Sequence, residues 1–246
     1  MPKITRAITA ETSASQLQRS FDDGLSKSPV VCERIAKHSG VDVLRCAHSN
    51  GCELPKTVCS TAAAQGKLEM IQWAIDKERG WREVLCSAAA AGGSIRIIKW
   101  ARANDCPWDD TTCNEAVGSG YLEILLWARS ENCPWSSETC SKAADGGHLG
   151  ILQWARAHGC SWDQHTCGCA AKGGKLELLQ WAIAQGCPWY PRVCGGAHRN
   201  GHLGTLKWMV GRGFRRASAP FYEATKRVLS YSRVCAGQPP RQGQRF

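Results

Sequence analysis

Apolar and polar positions alternate along this chain in a cadence that returns every 27 residues. In the stretch 138–164, ETCSKAADGGHLGILQWARAHGCSWDQ, small residues from Thr139 to Asp145 predict a short first helix, ended by Gly146 and Gly147. From His148 to Ala157 the apolar residues Leu149, Ile151, Leu152, Trp154 and Ala155 wrap a broad stripe round a second helix, which closes at Gly159. The segment Cys160-Ser161-Trp162-Asp163 follows, equivalent to Cys106-Pro107-Trp108-Asp109 and Cys133-Pro134-Trp135-Ser136. Proline cannot continue a helix, and Asp or Ser caps the next one, so this is a turn with a cap built in. Helices shorter than about 12–15 residues are marginal alone in water. Stacking of one unit on the next must therefore supply their stability.

The same phase recurs in 30–56, 57–83, 84–110, 111–137, 138–164, 165–191 and 192–213. Ala62, Ala89, Ala116, Ala143, Ala170 and Ala197 form one column, and Gly66, Gly93, Gly120, Gly147, Gly174 and Gly201 another. Small residues suit places where helices of adjacent units touch, and glycine suits a turn with positive φ. The columns headed by Leu68 (Ile95, Leu122, Leu149, Leu176, Leu203) and Ile71 (Ile98, Leu125, Leu152, Leu179, Leu206) are expected to be continuous core. All eleven tryptophans stand on two ladders of the same period. Trp73, Trp100, Trp127, Trp154, Trp181 and Trp208 lie in the second helices, where burial is expected. Trp81, Trp108, Trp135, Trp162 and Trp189 lie in the turns, where gap filling between units is weighed above an exposed stacking role. The end units are the least regular, with Ser39 for glycine, Cys46 for tryptophan and His198 for the second alanine, as capping repeats are.

The pattern T-C-x-x-A-A-x-x-G-H-L-x-I-L-x-W-A-x-x-x-G-C resembles the ankyrin repeat, marked by T-P-L-H-x-A-A, then G-H-x-x-I-V and G-A. The resemblance covers roughly 30–213 and is carried by Thr139-Cys140, Ala143-Ala144, Gly147-His148-Leu149, Ile151-Leu152 and Gly159-Cys160. It departs in period, about 33 residues in ankyrin repeats against 27 here, and in the absent T-P-L-H tetrapeptide. The missing residues come from the projecting β-turn finger. The resemblance implies an all-α, ankyrin-like helix-turn-helix solenoid of about six to seven stacked repeats, preceded by an N-terminal extension, 1–29, and followed by a basic tail, 214–246. A short α-solenoid of another class is the structural alternative.

Cysteine content changes this picture little. Of fifteen, seven form one column (Cys32, Cys59, Cys86, Cys113, Cys140, Cys167, Cys194) and five a second (Cys52, Cys106, Cys133, Cys160, Cys187). Zinc sites bring close-spaced pairs together, whereas these recur once per unit, so packing as small buried hydrophobes is the better reading and a thiol-based metal or redox protein the lesser one. A composition of 43% hydrophobic and 21% charged residues is ordinary for a folded protein, and no apolar run is long enough to span a membrane. No secretory signal is evident, so a cytoplasmic protein is expected, with the nucleus as the alternative, acting as a monomer. The net charge of +10 is concentrated in 212–246, where eight Lys/Arg face only Glu223, leaving +3 for the residues before it.

No acid/base pair, phosphate loop or nucleophile motif accompanies the histidines, so neither enzyme activity nor a cofactor or metal is expected. His148 and His202 share a column at the start of the second helix, where a hydrogen bond in the inter-helix turn is the expected role. Variable first-helix positions line the concave face of ankyrin-like arrays. The resemblance thus implies that Glu115, Lys142, Asp145, Lys172 and Arg199, with Asp109 and Asp163 in the turns, contact a partner protein, a solvated surface being the alternative for each. The expected function is a non-enzymatic protein-protein interaction scaffold. The alternative is nucleic-acid or polyanion association through the basic tail, in which 220–231 is expected to form a capping helix before a disordered end.

Overall fold

The computed structural model describes residues 8–9, 11–77, 84–190 and 193–212. Trp81 and the expectations for the tail beyond residue 212, including its capping helix, lie outside them. All regular structure among the described residues is helical. The first helices of the repeats are α2 (Pro29–His38), α4 (Thr57–Ala64), α6 (Leu85–Ala91), α8 (Asp110–Gly118), α10 (Ser137–Gly146), α12 (Gln164–Lys172) and α14 (Val193–Arg199). Their second helices are α3 (Val41–Ser49), α5 (Leu68–Lys77), α7 (Ile95–Ala103), α9 (Leu122–Ser130), α11 (Leu149–Ala157), α13 (Leu176–Ala184) and α15 (Leu203–Gly211). One further helix, α1 (Ala14–Asp22), precedes them. The chain divides into two compact units, Met1–Trp135 and Ser136–Phe246, and the described residues of each form a file of stacked helix hairpins.

Within the first unit α2, α4, α6 and α8 pack side by side, and within the second α10, α12 and α14 do. Each first helix but the last buries two adjacent pairs one turn apart, such as Leu85, Cys86, Ala89 and Ala90 in α6, or Thr166, Cys167, Ala170 and Ala171 in α12, while α14 buries Val193, Cys194 and Ala197 and leaves His198 exposed. That spacing makes a helix apolar on both flanks, as a helix held between two neighbours requires. The second helices bury a narrower set, Ile97, Ile98 and Ala101 in α7 and Leu178, Leu179 and Ala182 in α13.

Two expectations about the core are corrected by this geometry. The column of Leu68 is not continuous core, since Leu122 is 37% and Leu203 49% exposed. These residues open the second helix, and the side chain there leans back towards the helix start and its edge. The buried column lies two residues on, at Met70, Ile97, Ile124, Ile151 and Leu178. The helix tryptophans are likewise half-buried, not enclosed, because each falls at the margin of a three-residue stripe filled by smaller side chains.

The glycine column is required by backbone geometry at the turn between helices. Gly93 and Gly147 have φ of +74° and +80°, where a side chain is strained. A Cβ on Gly93 would also lie 2.5 Å from the Tyr121 ring. Tyr121 belongs to the histidine column, and its members lean onto the glycine of the preceding repeat: a Cβ on Gly174 would lie 2.4 Å from Nδ1 of His202. In the first unit Lys67 uses this position to donate to the carbonyls of Ala36 and Ser39, both at 2.8 Å, satisfying the end of α2. The turn residue therefore acts between repeats as well as within its own.

Every cysteine of the two columns is buried and none is in a disulfide. The second column has a hydrogen-bonding reason to be cysteine and not alanine. Cys133 Sγ donates to the Asp109 carbonyl at 3.4 Å, Cys160 to Ser136 at 3.3 Å and Cys187 to Asp163 at 3.5 Å. Each acceptor is the N-cap residue of its repeat, so the weak thiol donor ties the closing turn to the start of the same hairpin.

The 27-residue phase also begins earlier than residue 30. Helix α1 starts 27 residues before α3 and packs on it. Leu17 falls in the column of Leu44 and Ile71, and Leu25 in the column of Cys52; both are buried. Gly24 has φ of +91°, like Gly51 at +85° one period on. Gln18 and Asn50 exchange hydrogen bonds of 2.7 and 3.2 Å, and Ser39 Oγ donates to the Thr9 carbonyl at 2.8 Å. Residues 14–25 are therefore the second half of a repeat, laid over the N-terminal side of α3.

Candidate interaction surface

The side chains singled out in the sequence fall into three structural settings. Asp109 and Asp163 are N-caps: Asp109 Oδ1 accepts from the Thr111 amide at 3.0 Å, and Asp163 accepts from the His165 amide at 2.8 Å and from Ser137 Oγ at 3.0 Å. These bonds satisfy the otherwise orphaned amides at the start of α8 and α12. Glu115 on α8 and Lys142 on α10 are half-buried on the first-helix face. Asp145, Lys172 and Arg199 are exposed and stand 27 residues apart near the C-terminal ends of α10, α12 and α14. Because those three helices pack in file, the second unit brings these charges into one row.

Beside that row, between α12 and α14, lies a recess of about 420 Å³ lined by His165, Cys169, Lys172, Tyr190 and Arg199 over a floor of glycines that includes Gly168 and Gly196. A Cβ on Gly168 would lie 3.2 Å from the Tyr190 hydroxyl, and one on Gly196 3.3 Å from Lys172 Cβ, so the absent side chains make the opening. Asn200 Nδ2 donates to the Lys172 carbonyl at 2.8 Å, fixing the ends of α12 and α14 relative to each other. The Cys169 thiol is pushed above its usual range by burial, then by the Asp145 carboxylate, with Lys172 opposing. It keeps its proton at neutral pH and is a poor nucleophile.

Cys169, His165 and Tyr190 were not among the residues expected to contact a partner. Two signals for them stand in the sequence. Tyr190 occupies the N-cap column held by Asp109, Ser136 and Asp163, so a bulky phenol replaces a capping side chain. Gly168, Gly195 and Gly196 sit inside first helices, where glycine is unfavourable by about 1 kcal/mol relative to alanine. Departures of this kind from local preference mark places where another requirement prevails.

The turn tryptophans Trp108, Trp135 and Trp162 are half-buried packing elements. The guanidinium carbons of Arg102, Arg129 and Arg156 lie 4.5, 4.1 and 4.1 Å from the ring centres of Trp108, Trp135 and Trp162. Arg102 Nη1 also donates to the Cys106 carbonyl at 2.7 Å, and Arg129 and Arg156 bond the Cys133 and Cys160 carbonyls in the same way. Trp108 meets Trp127 and Trp162 meets Trp181 of the following repeat, with centroids 5.7 and 5.8 Å apart. These rings fill the seam between neighbours. Trp189 differs: Ile183 stands where the arginine would, and the ring is 43% exposed.

Among the described residues no group of three or more His, Cys, Asp or Glu side chains is placed to hold a metal ion, and no helix is long and apolar enough to cross a membrane. No family model matches the sequence, and no curated protein matches it. Among solved structures the chain is similar to the crystal structure of the human ASB11 ankyrin repeat domain, at 15% identity and a TM-score of 0.48, over 63% of this chain and 83% of that one.

Proposed function

We propose that this protein is a non-enzymatic interaction scaffold whose first-helix and turn surfaces, in an ankyrin-like array, hold another protein. The observation that carries this reading is the contrast within a single repeat. Core positions keep the same residue types from unit to unit, while the exposed ends of the first helices change from Asp145 to Lys172 to Arg199. Stacked helices hold these varied side chains in place, so little ordering entropy is lost when a partner docks. Glu115, Lys142, Asp145, Lys172 and Arg199 are the proposed contacts, with Asp109 and Asp163 serving first as caps.

The test is an affinity pull-down comparing the wild-type chain with the charge reversals Glu115→Lys, Lys142→Glu and Lys172→Glu, each checked for native helicity by circular dichroism. Loss of the same bound protein from at least one folded variant is expected. Retention of every bound protein by all three would overturn the proposal.

A further inference from the structure

The row Asp145, Lys172, Arg199 has a spacing as well as a sign pattern. Packed helices lie about 8–10 Å apart, and a chain in the extended polyproline II conformation advances about 3.1 Å per residue with three residues per turn, so every third side chain faces the same way. Such a segment crossing α10, α12 and α14 therefore presents one side chain to each helix end at every third residue. The charges along that path run acid, base, base. The same column in the first unit reads Lys37, Ala64, Ala91 and Gly118, so a run of three adjacent charges of mixed sign belongs to the second unit alone. Helix stability does not explain it: cations suit the end of a helix, but Asp145 places an acid at the negative end of α10.

The recess lies on this path. Lys172 and Arg199 line it together with the Tyr190 phenol, and its glycine floor lets a backbone come close. Among the described residues neither Lys172 nor Arg199 is in an ion pair.

We infer that the second unit binds an extended segment of a partner protein carrying one basic and two acidic side chains at every third position. The basic residue faces Asp145, and the acidic ones face Lys172 and Arg199. This rests on the scaffold reading and specifies its occupant.

Fluorescence polarisation with the full-length protein tests it. The probe is a labelled heptapeptide with lysine first, glutamate fourth and seventh, and proline elsewhere, which favours the polyproline II form; a second probe has the reverse order, since either chain direction satisfies the spacing. The control is an isomer of identical composition with its three charges contiguous. One spaced peptide is expected to bind at least about fivefold tighter than the isomer, each exposed pair contributing modestly. Lys172→Glu should remove that preference, and replacing the fourth-position glutamate by lysine should restore it. Asp145→Lys, with glutamate at the position facing it, provides the same exchange at the other end of the row.

Equal affinity for spaced and contiguous peptides, or reversal at Lys172 without rescue, would overturn the inference. If the pull-down remains sensitive to Lys172 while the spacing preference is absent, the scaffold stands and the extended occupant is wrong. If the pull-down responds to none of its three charge reversals and the spacing preference is absent, both fall.

Discussion

At the level of single residues, the cysteines show how a reactive side chain becomes a structural one. Cys32 is pushed up to about 12 by burial and by the neighbouring Cys52 thiol, and Cys86 to about 12 chiefly by burial. Cys140 is raised first by its hydrogen bond with Cys160 and then by burial. A thiol at about 12 in the folded chain and 9.0 in the unfolded chain leaves stability untouched below pH 9. Above it the unfolded chain sheds protons that the folded chain keeps, so stability falls as pH rises from 9 towards 12. Urea denaturation at several pH values between 8 and 10.5 should show this decline, with a shallower slope in a Cys32→Ala/Cys86→Ala double variant. Identical slopes would mean that these thiols titrate alike in both states. Alkylation mapped by mass spectrometry should also reach half-buried Cys46 and Cys169 before any column cysteine.

Helices and their connections are held by contacts that reach across repeats. Gly66 and Gly93 occupy equivalent turns with φ of +73° and +74°. A Cβ on Gly66 would have only Ser94 Oγ within 4.0 Å, whereas one on Gly93 would strike the Tyr121 ring at 2.5 Å. Gly66→Ala should therefore lower stability by the backbone term alone, about 1–2 kcal/mol. Gly93→Ala should lower it further, and the excess should shrink when Tyr121 is also changed to alanine. Equal losses at the two glycines in chemical denaturation would show that the aromatic residue is not seated on the turn. The Arg–Trp–carbonyl arrangement does comparable work at the opposite end of the α6–α7, α8–α9 and α10–α11 hairpins. Its absence around Trp189 coincides with the unusual Tyr190 and the recess.

On the scale of the molecule, a stack in which each hairpin touches only its neighbours should respond locally to damage. Leu17 anchors the half-repeat at the N-terminal side of the first unit and is 1% exposed. Leu17→Ala should cost about 2–5 kcal/mol at that site. Hydrogen exchange should accelerate in α1 and in the α2–α3 hairpin, while α12 and α13 exchange as in the wild type. Uniform acceleration through the second unit would contradict this near-neighbour picture.

The period, the two-helix unit, the proline- and glycine-marked turns and the capping Asp and Ser were legible in the sequence, because each follows from local sterics and hydrogen bonding repeated at one spacing. Three features were decided only by tertiary packing. The half-repeat at 14–25 lacks the tryptophan and alanine markers, and it shows itself through the burial of Leu17 and Leu25. The helix tryptophans and the Leu68 column look like core by residue type, but a helix touched on one flank encloses only a narrow stripe. The recess arises from a tyrosine in a capping column above glycines of two different helices, a juxtaposition that exists only once α12 and α14 lie side by side. A linear pattern fixes what each residue contributes to its own turn of helix, whereas exposure and neighbourhood belong to pairs of elements far apart along the chain.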